Sequence, residues 1–273
     1  MKLTKTKLAA AVAMAALGVG MTMPASANPL TLRITDQATN TTFLCIDNAA
    51  CDTNALVDSI GINAGAANAF FGAGRGFDIV SASASAANTA NLAQIDKSGN
   101  VTATAVPGLL SIIFEASRSN FTLSGLNPRT MSTSGSATFT NSVNAGDNAT
   151  IEGFNDPDNL LFAGIAGDPN TDGNEFATPL ILLDPPGANC VGGNPVTCQG
   201  AASLNGIVEG DPFSLTNRYV ITTGESSPGN TVSVQFTDSL LKFDQQQVPE
   251  PMSLLLVVAG LLGLGVVGRR RKS

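Results

Sequence analysis

The residues best placed for chemistry lie in one acidic stretch, Gly167-Asp168-Pro169-Asn170-Thr171-Asp172-Gly173-Asn174-Glu175. Asp168, Asn170 and Asp172 put oxygen ligands at alternating positions, and Gly173 stands where a calcium loop turns sharply. The twelfth position, which should hold a bidentate acid, is Pro179, so a complete helix–loop–helix calcium site is excluded. A half-loop finished by Glu175 or by a distant carboxylate would take Ca2+, the one cofactor the residues suggest. Asp156-Pro157-Asp158-Asn159 lies just upstream. Asp-Pro, Asn and Asp-Gly also form ordinary turns, and an acidic turn is the preferred reading of the same stretch. Histidine is absent, which removes Ser-His-Asp and Cys-His nucleophilic sites, imidazole proton shuttles and His-metal centres together. A carboxylate pair of the glycosidase kind is the catalytic option left. Such sites usually stack sugars on aromatic rings, and the chain has no Trp and only Tyr219. The expectation is a protein that is not an enzyme.

The two ends carry an address. At the C-terminus Val248-Pro249-Glu250-Pro251 precedes 17 uncharged residues, Met252 to Gly268, and then Arg269-Arg270-Arg271-Lys272. A helix of that length is about 25 Å long, just short of a ~30 Å hydrocarbon core, and the four cations form a cytoplasmic membrane stop. The prolines oppose helix upstream, leaving an extended peptide within reach of a protease. This Pro-Glu-Pro box, apolar span and basic stop, in that order, resemble the PEP-CTERM sorting tail of exported bacterial proteins. The resemblance covers about a tenth of the chain. It implies processing near the box by an exosortase (a membrane protease) and association with exopolysaccharide in biofilm or floc matrix. At the N-terminus Lys2, Lys5 and Lys7 precede an apolar stretch, Leu8 to Met21, and Ala25-Ser26-Ala27 forms an A-x-A box, with Ala25 and Ala27 the small residues cleavage requires. The expected organisation is a signal peptide (1–27), an exported domain (28–247) and a sorting tail (248–273).

Between these ends the charge is lopsided. Residues 28–249 hold seven cations and 20 acids, close to −13. That excess repels phosphate backbones and argues against a nucleic-acid partner. About 220 residues suffice for one domain with a real core. Four cysteines in an exported chain favour disulfides. Local pairing, Cys45 with Cys51 and Cys190 with Cys198, is preferred among the three connectivities, each bridge adding about 2–3 kcal/mol.

The elements that must carry these residues read as all-β. Leu30–Thr35 and Thr231–Thr237 alternate apolar and polar side chains, as half-buried strands do. Residues 77–81, 109–117, 121–124, 137–140, 179–183 and 213–222 are further strands. Gly99-Asn100, Asn127-Pro128, Asn144 to Asp147, Pro185-Pro186-Gly187 and Ser227 to Asn230 supply turn chemistry between them. Ile62 to Gly76, rich in Gly and Ala, reads as a loop, with Arg75 between two glycines as a turn residue or a contact for an acidic polymer. Ser81 to Ala93 reads as a flat strand of small residues with weakly set register. The expected fold is a single β-sandwich of jelly-roll type, flanked by an N-terminal signal helix and a C-terminal transmembrane helix. The expected role is structural or adhesive within a polysaccharide matrix, with the secretion machinery and an exosortase as partners. A calcium-assisted carbohydrate-binding module is the alternative.

Overall fold

The computed structural model describes residues 29–104, 109–124, 128–141, 146–162, 164, 173–185, 187–208, 210–224 and 231–245. In chain order the described elements are β1 (Thr31–Asp36), β2 (Thr41–Ile46), β3 (Ser59–Gly61), α1 (Ala64–Phe71), β4 (Phe77–Asn88), β5 (Leu92–Thr104), β6 (Leu110–Phe121), β7 (Arg129–Asn141), β8 (Asn148–Asp156), β9 (Phe176–Ala177), β10 (Ile181–Leu183), β11 (Cys190–Val191), β12 (Val196–Ile207), β13 (Phe213–Thr223) and β14 (Thr231–Gln245). The fold is all-β, as the alternation implies. One sheet runs β10-β8-β13-β6-β1-β2, with β9 beside β8, and the other runs β11-β12-β7-β14-β5-β4-β3. We call them the first and second sheet. Every pairing is antiparallel.

The sheets face each other across one apolar core. On β5, Ala93, Ile95, Val101 and Ala103 point inward; on β13, Leu215, Tyr219 and Ile221 answer them. At the centre Tyr219 stacks on Phe236 of the opposite sheet, ring centres 4.4 Å apart, and Phe114 meets the same ring at 5.0 Å. Burying rings of this size contributes much of the favourable free energy of folding.

Two local readings are corrected by this arrangement. Gly99-Asn100 is not a turn; β5 runs straight through it. Gly99 is needed for packing, since a Cβ there would lie 2.5 Å from Cζ of Phe236. The segment read as a loop holds α1, whose first turn is capped by Asn63 Oδ1 accepting from Ala66 N–H at 3.1 Å. The helix ends at Gly72, in the left-handed region at φ 80°. Asn68 grips the backbone of Ile79 from both sides, donating to its carbonyl at 2.9 Å and accepting from its N–H at 2.8 Å. Arg75 sits in the bend between α1 and β4, as a turn residue should, and is also anchored there. Its Nε donates to the Phe71 carbonyl at 2.8 Å, and its Nη1 lies 3.3 Å from Asp36 Oδ2.

Both disulfides join the expected partners, Cys45 with Cys51 and Cys190 with Cys198. The first ties β2 to the loop ahead of β3, and the second joins β11 to β12, where the two cysteines face each other in register. Among the described residues no helix is long and apolar enough to cross a membrane. The signal peptide and the 252–268 span lie outside those residues.

Candidate functional site

The outward face of the second sheet is the candidate contact surface. On β7, Met131, Thr133, Gly135, Ala137 and Phe139 turn inward. The alternate residues, Thr130, Ser132, Ser134, Ser136, Thr138 and Thr140, therefore face out. Neighbouring strands continue the same chemistry. Thr138 and Thr197 share a hydroxyl–hydroxyl bond of 3.0 Å, Ser136 and Thr237 one of 2.9 Å, and Ser83 and Ser98 one of 2.8 Å. Ser233 donates to Asn100 Oδ1 at 3.0 Å, and Thr130 to Asn205 Oδ1 at 2.9 Å. Five strands thus present a pleated field of hydroxyls and carboxamides.

A shift of register in β14 between Thr237 and Leu240 breaks the flatness of this field. Beside it lies a depression of about 330 Å³ whose walls include Ser132, Ser134, Ala201, Ser203, Leu240 and Lys242. A second depression, about 220 Å³, adjoins it at Ser134 and extends past Ser136 and Gln199. The small residues of β12 and β7 leave this room. On the inner side Gly200 lets β10 press close, because a Cβ there would fall 2.2 Å from Cγ2 of Ile181. Lys242 supplies a cation at the groove. Two residues on, burial raises the pKa of Asp244, while the Lys242 charge opposes that shift. The chemistry on offer is hydrogen bonding through short hydroxyls and carboxamides, each direct bond contributing about 0.5–1.5 kcal/mol, with bridging water as a further route.

The acidic stretch is only partly described. Asp168, Asn170 and Asp172 lie outside the described residues. Glu175 lies within them, and its Oε2 accepts from Gly173 N–H at 2.9 Å. Upstream, Asp156 ends β8 and caps the turn that follows. Its Oδ1 accepts from Asp158 N–H at 2.9 Å and its Oδ2 from Leu160 N–H at 2.6 Å. Burial raises the Asp156 pKa, and the negative charges of Asp158 and Glu175 push the same way against those two bonds. The Asp158 and Glu175 carboxylates are thus close enough to act on Asp156. Among the described residues no group of three or more His, Cys, Asp or Glu side chains is arranged to hold a metal ion.

Paired carboxylates do occur on the outward face of the first sheet, locked into a ladder. Arg33, Glu115, Arg218 and Glu152 are register neighbours on β1, β6, β13 and β8. Glu115 Oε2 accepts from Arg33 Nε at 2.6 Å, its Oε1 lies 3.6 Å from Arg218 Nε, and Arg218 Nη1 lies 3.5 Å from Glu152 Oε2. The Arg33 guanidinium also covers the Phe162 ring at 4.1 Å.

The signal peptide box at Ala25 and Ala27, the Val248 to Pro251 box and the Arg269 to Lys272 stop lie outside the described residues. The hydroxyl face was missed by sequence reasoning, although its signal is plain: six Ser or Thr residues at strict alternation from Thr130 to Thr140. Compared with known proteins, the chain matches no protein family and no curated protein.

Proposed function

We propose that the chain is an exported, non-enzymatic surface or matrix protein, delivered by exosortase-type sorting, whose second sheet contacts exopolysaccharide through its outward hydroxyl face. The observation that carries the contact is the run of outward Ser and Thr residues on β7 beside a 330 Å³ groove. Two disulfides suit an oxidising compartment, and the sequence of both ends supplies the route. Signal peptide, exported domain (28–247), membrane-tethered precursor and sorting tail (248–273) are parts of this reading, as is a jelly-roll-like winding of the sandwich. An adhesive sheet without Trp binds weakly per site, so affinity in a matrix comes from many copies along one polymer.

A second reading, a calcium-assisted carbohydrate-binding module, draws on the Asp158 and Glu175 charges that act on Asp156 in the segments flanking the acidic stretch. Co-sedimentation of the purified protein with matrix polysaccharide, with and without chelator, separates the two. Retention that is indifferent to chelator supports the first, and loss on chelation supports the second. No retention in either condition overturns both. For the route, deleting Pro249 to Lys272 should move the protein from the cell surface to the periplasm or medium; unchanged location would contradict sorting by the tail.

A further inference from the structure

Lys97 is the one lysine on an inward-facing strand position of β5, and it is only 2 % exposed. Its Nζ crosses the core to the first sheet and donates to the carbonyls of Phe114 and Asn217, both at 2.8 Å. Asn217 on β13 is wholly buried and reaches the other way. Its Nδ2 donates to the carbonyls of Ser239 and Ile95 in the second sheet. Ser239 is the register partner of Lys97. The two side chains therefore run past each other through the same water-excluded gap, beside the Phe114, Phe236 and Tyr219 rings.

Each group is in a state suited to react. Burial holds the Lys97 pKa well below the usual lysine value, with the Glu115 charge opposing and the Arg218 charge reinforcing that shift, so the neutral, nucleophilic amine is accessible. Ser239 Oγ donates to Asn217 Oδ1 at 3.1 Å, where negative charge develops if a nucleophile adds to Cγ. A donor placed there stabilises the tetrahedral state.

We propose that Lys97 and Asn217 are the precursors of an intramolecular isopeptide bond joining the two sheets. Neutral Lys97 Nζ adds to Asn217 Cγ and forms a C–N bond. The Cγ–Nδ2 bond breaks, one of the two amine protons passes to the departing nitrogen, and ammonia leaves. Nothing is oxidised or reduced, and no co-reactant is needed. The product is a secondary amide that ties β5 to β13 covalently.

Peptide mapping of the full-length protein, reduced, denatured and digested with trypsin, tests this directly. The Lys97 and Asn217 peptides should be recovered joined, lighter than their sum by one ammonia, with no cleavage after Lys97. Asn217→Ala should restore that cleavage and separate the peptides. Ser239→Ala should slow linkage roughly a hundredfold in a time course after refolding; an unchanged rate would remove Ser239 from the step. Recovery from the wild-type protein of an unmodified Asn217 peptide, with normal cleavage at Lys97, overturns the proposal whether or not either variant folds.

Discussion

The two outward faces of the sandwich are built on the same alternation and filled with opposite chemistry. On the first sheet every outward charge of the central row has a partner of opposite sign, and the segment around Phe162 folds over one end. Phe162 N–H donates to Ser117 Oγ at 3.1 Å, and Ser214 Oγ donates to the Leu160 carbonyl. On the second sheet the outward row of β7 carries hydroxyls alone. The difference lies in what each face leaves at its surface. On the first sheet the charges pair with one another and the segment around Phe162 covers part of the row, while Leu44, Ile46 and Leu182 stay exposed on its outer strands. Each outward hydroxyl has one donor and two acceptor sites, more than a single bond to a neighbour such as Thr138 to Thr197 uses.

The sharpest break in this comparison is Glu115→Ala. It leaves Arg33 and Arg218 side by side across a position that is 1 % exposed, and should cost about 3–5 kcal/mol in urea unfolding. Phe162→Ala removes the ring beneath Arg33 and half of the small Phe154–Phe162 cluster. About 3 kcal/mol should be lost there, with faster amide exchange at Leu160 to Phe162.

Smaller in effect are two acid titrations of opposite sign. Asp156, at the end of the first sheet, has a folded-state pKa raised chiefly by burial. The folded state holds that proton more tightly, so this group's contribution grows as pH falls through its raised pKa and declines as pH rises. Asp52, bridged to the second sheet's edge, is the reverse. Burial pushes its pKa up, but backbone N–H bonds from Asn54, Gly61 and Asn48 and a side-chain hydrogen bond to Asp47 outweigh it and lower the pKa. Its contribution is present above the unfolded-state value and is lost as pH falls through the lowered one. Unfolding midpoints measured between about pH 2 and 6 should therefore show a shallower acid loss for Asp52→Asn and a steeper one for Asp156→Asn. Smallest of all, Thr138→Val removes one hydroxyl pair from the second sheet and should change stability by no more than about 0.5 kcal/mol.

Much of the fold was legible because a strand with one buried face writes its pattern into alternate residues. Thr231 to Thr237 and Phe213 to Thr222 show this, whereas the small-residue run read as one flat strand from Ser81 to Ala93 is strand in β4 only to Asn88, with Leu92 and Ala93 already in β5. The disulfides were legible because each pair is close in sequence. Legibility failed where a residue's role depends on a distant neighbour. Gly99 looks like a turn until Phe236 occupies the space above it. Asn63 looks like loop composition until it caps α1, and nothing near Arg75 in sequence announces its ion pair with Asp36. Lys97 gave no sequence signal, because nothing local tells a lysine on a strand which way it will point. The hydroxyl face failed for another reason. Ser and Thr carry little weight in a search for apolar periodicity, so only residues 137–140 of β7 registered as strand.

The central claim is that the hydroxyl face of the second sheet, and not the charged face of the first, meets polysaccharide. Co-sedimentation with matrix polysaccharide should be compared for the wild-type protein, a Ser134→Glu/Ser203→Glu variant in the groove, and a Thr35→Glu/Thr42→Glu variant on the first sheet. Loss of retention at least tenfold in the groove variant, with the first-sheet variant retained like wild type, is the expected result. Equal retention of all three, or equal loss in both variants, would contradict the account.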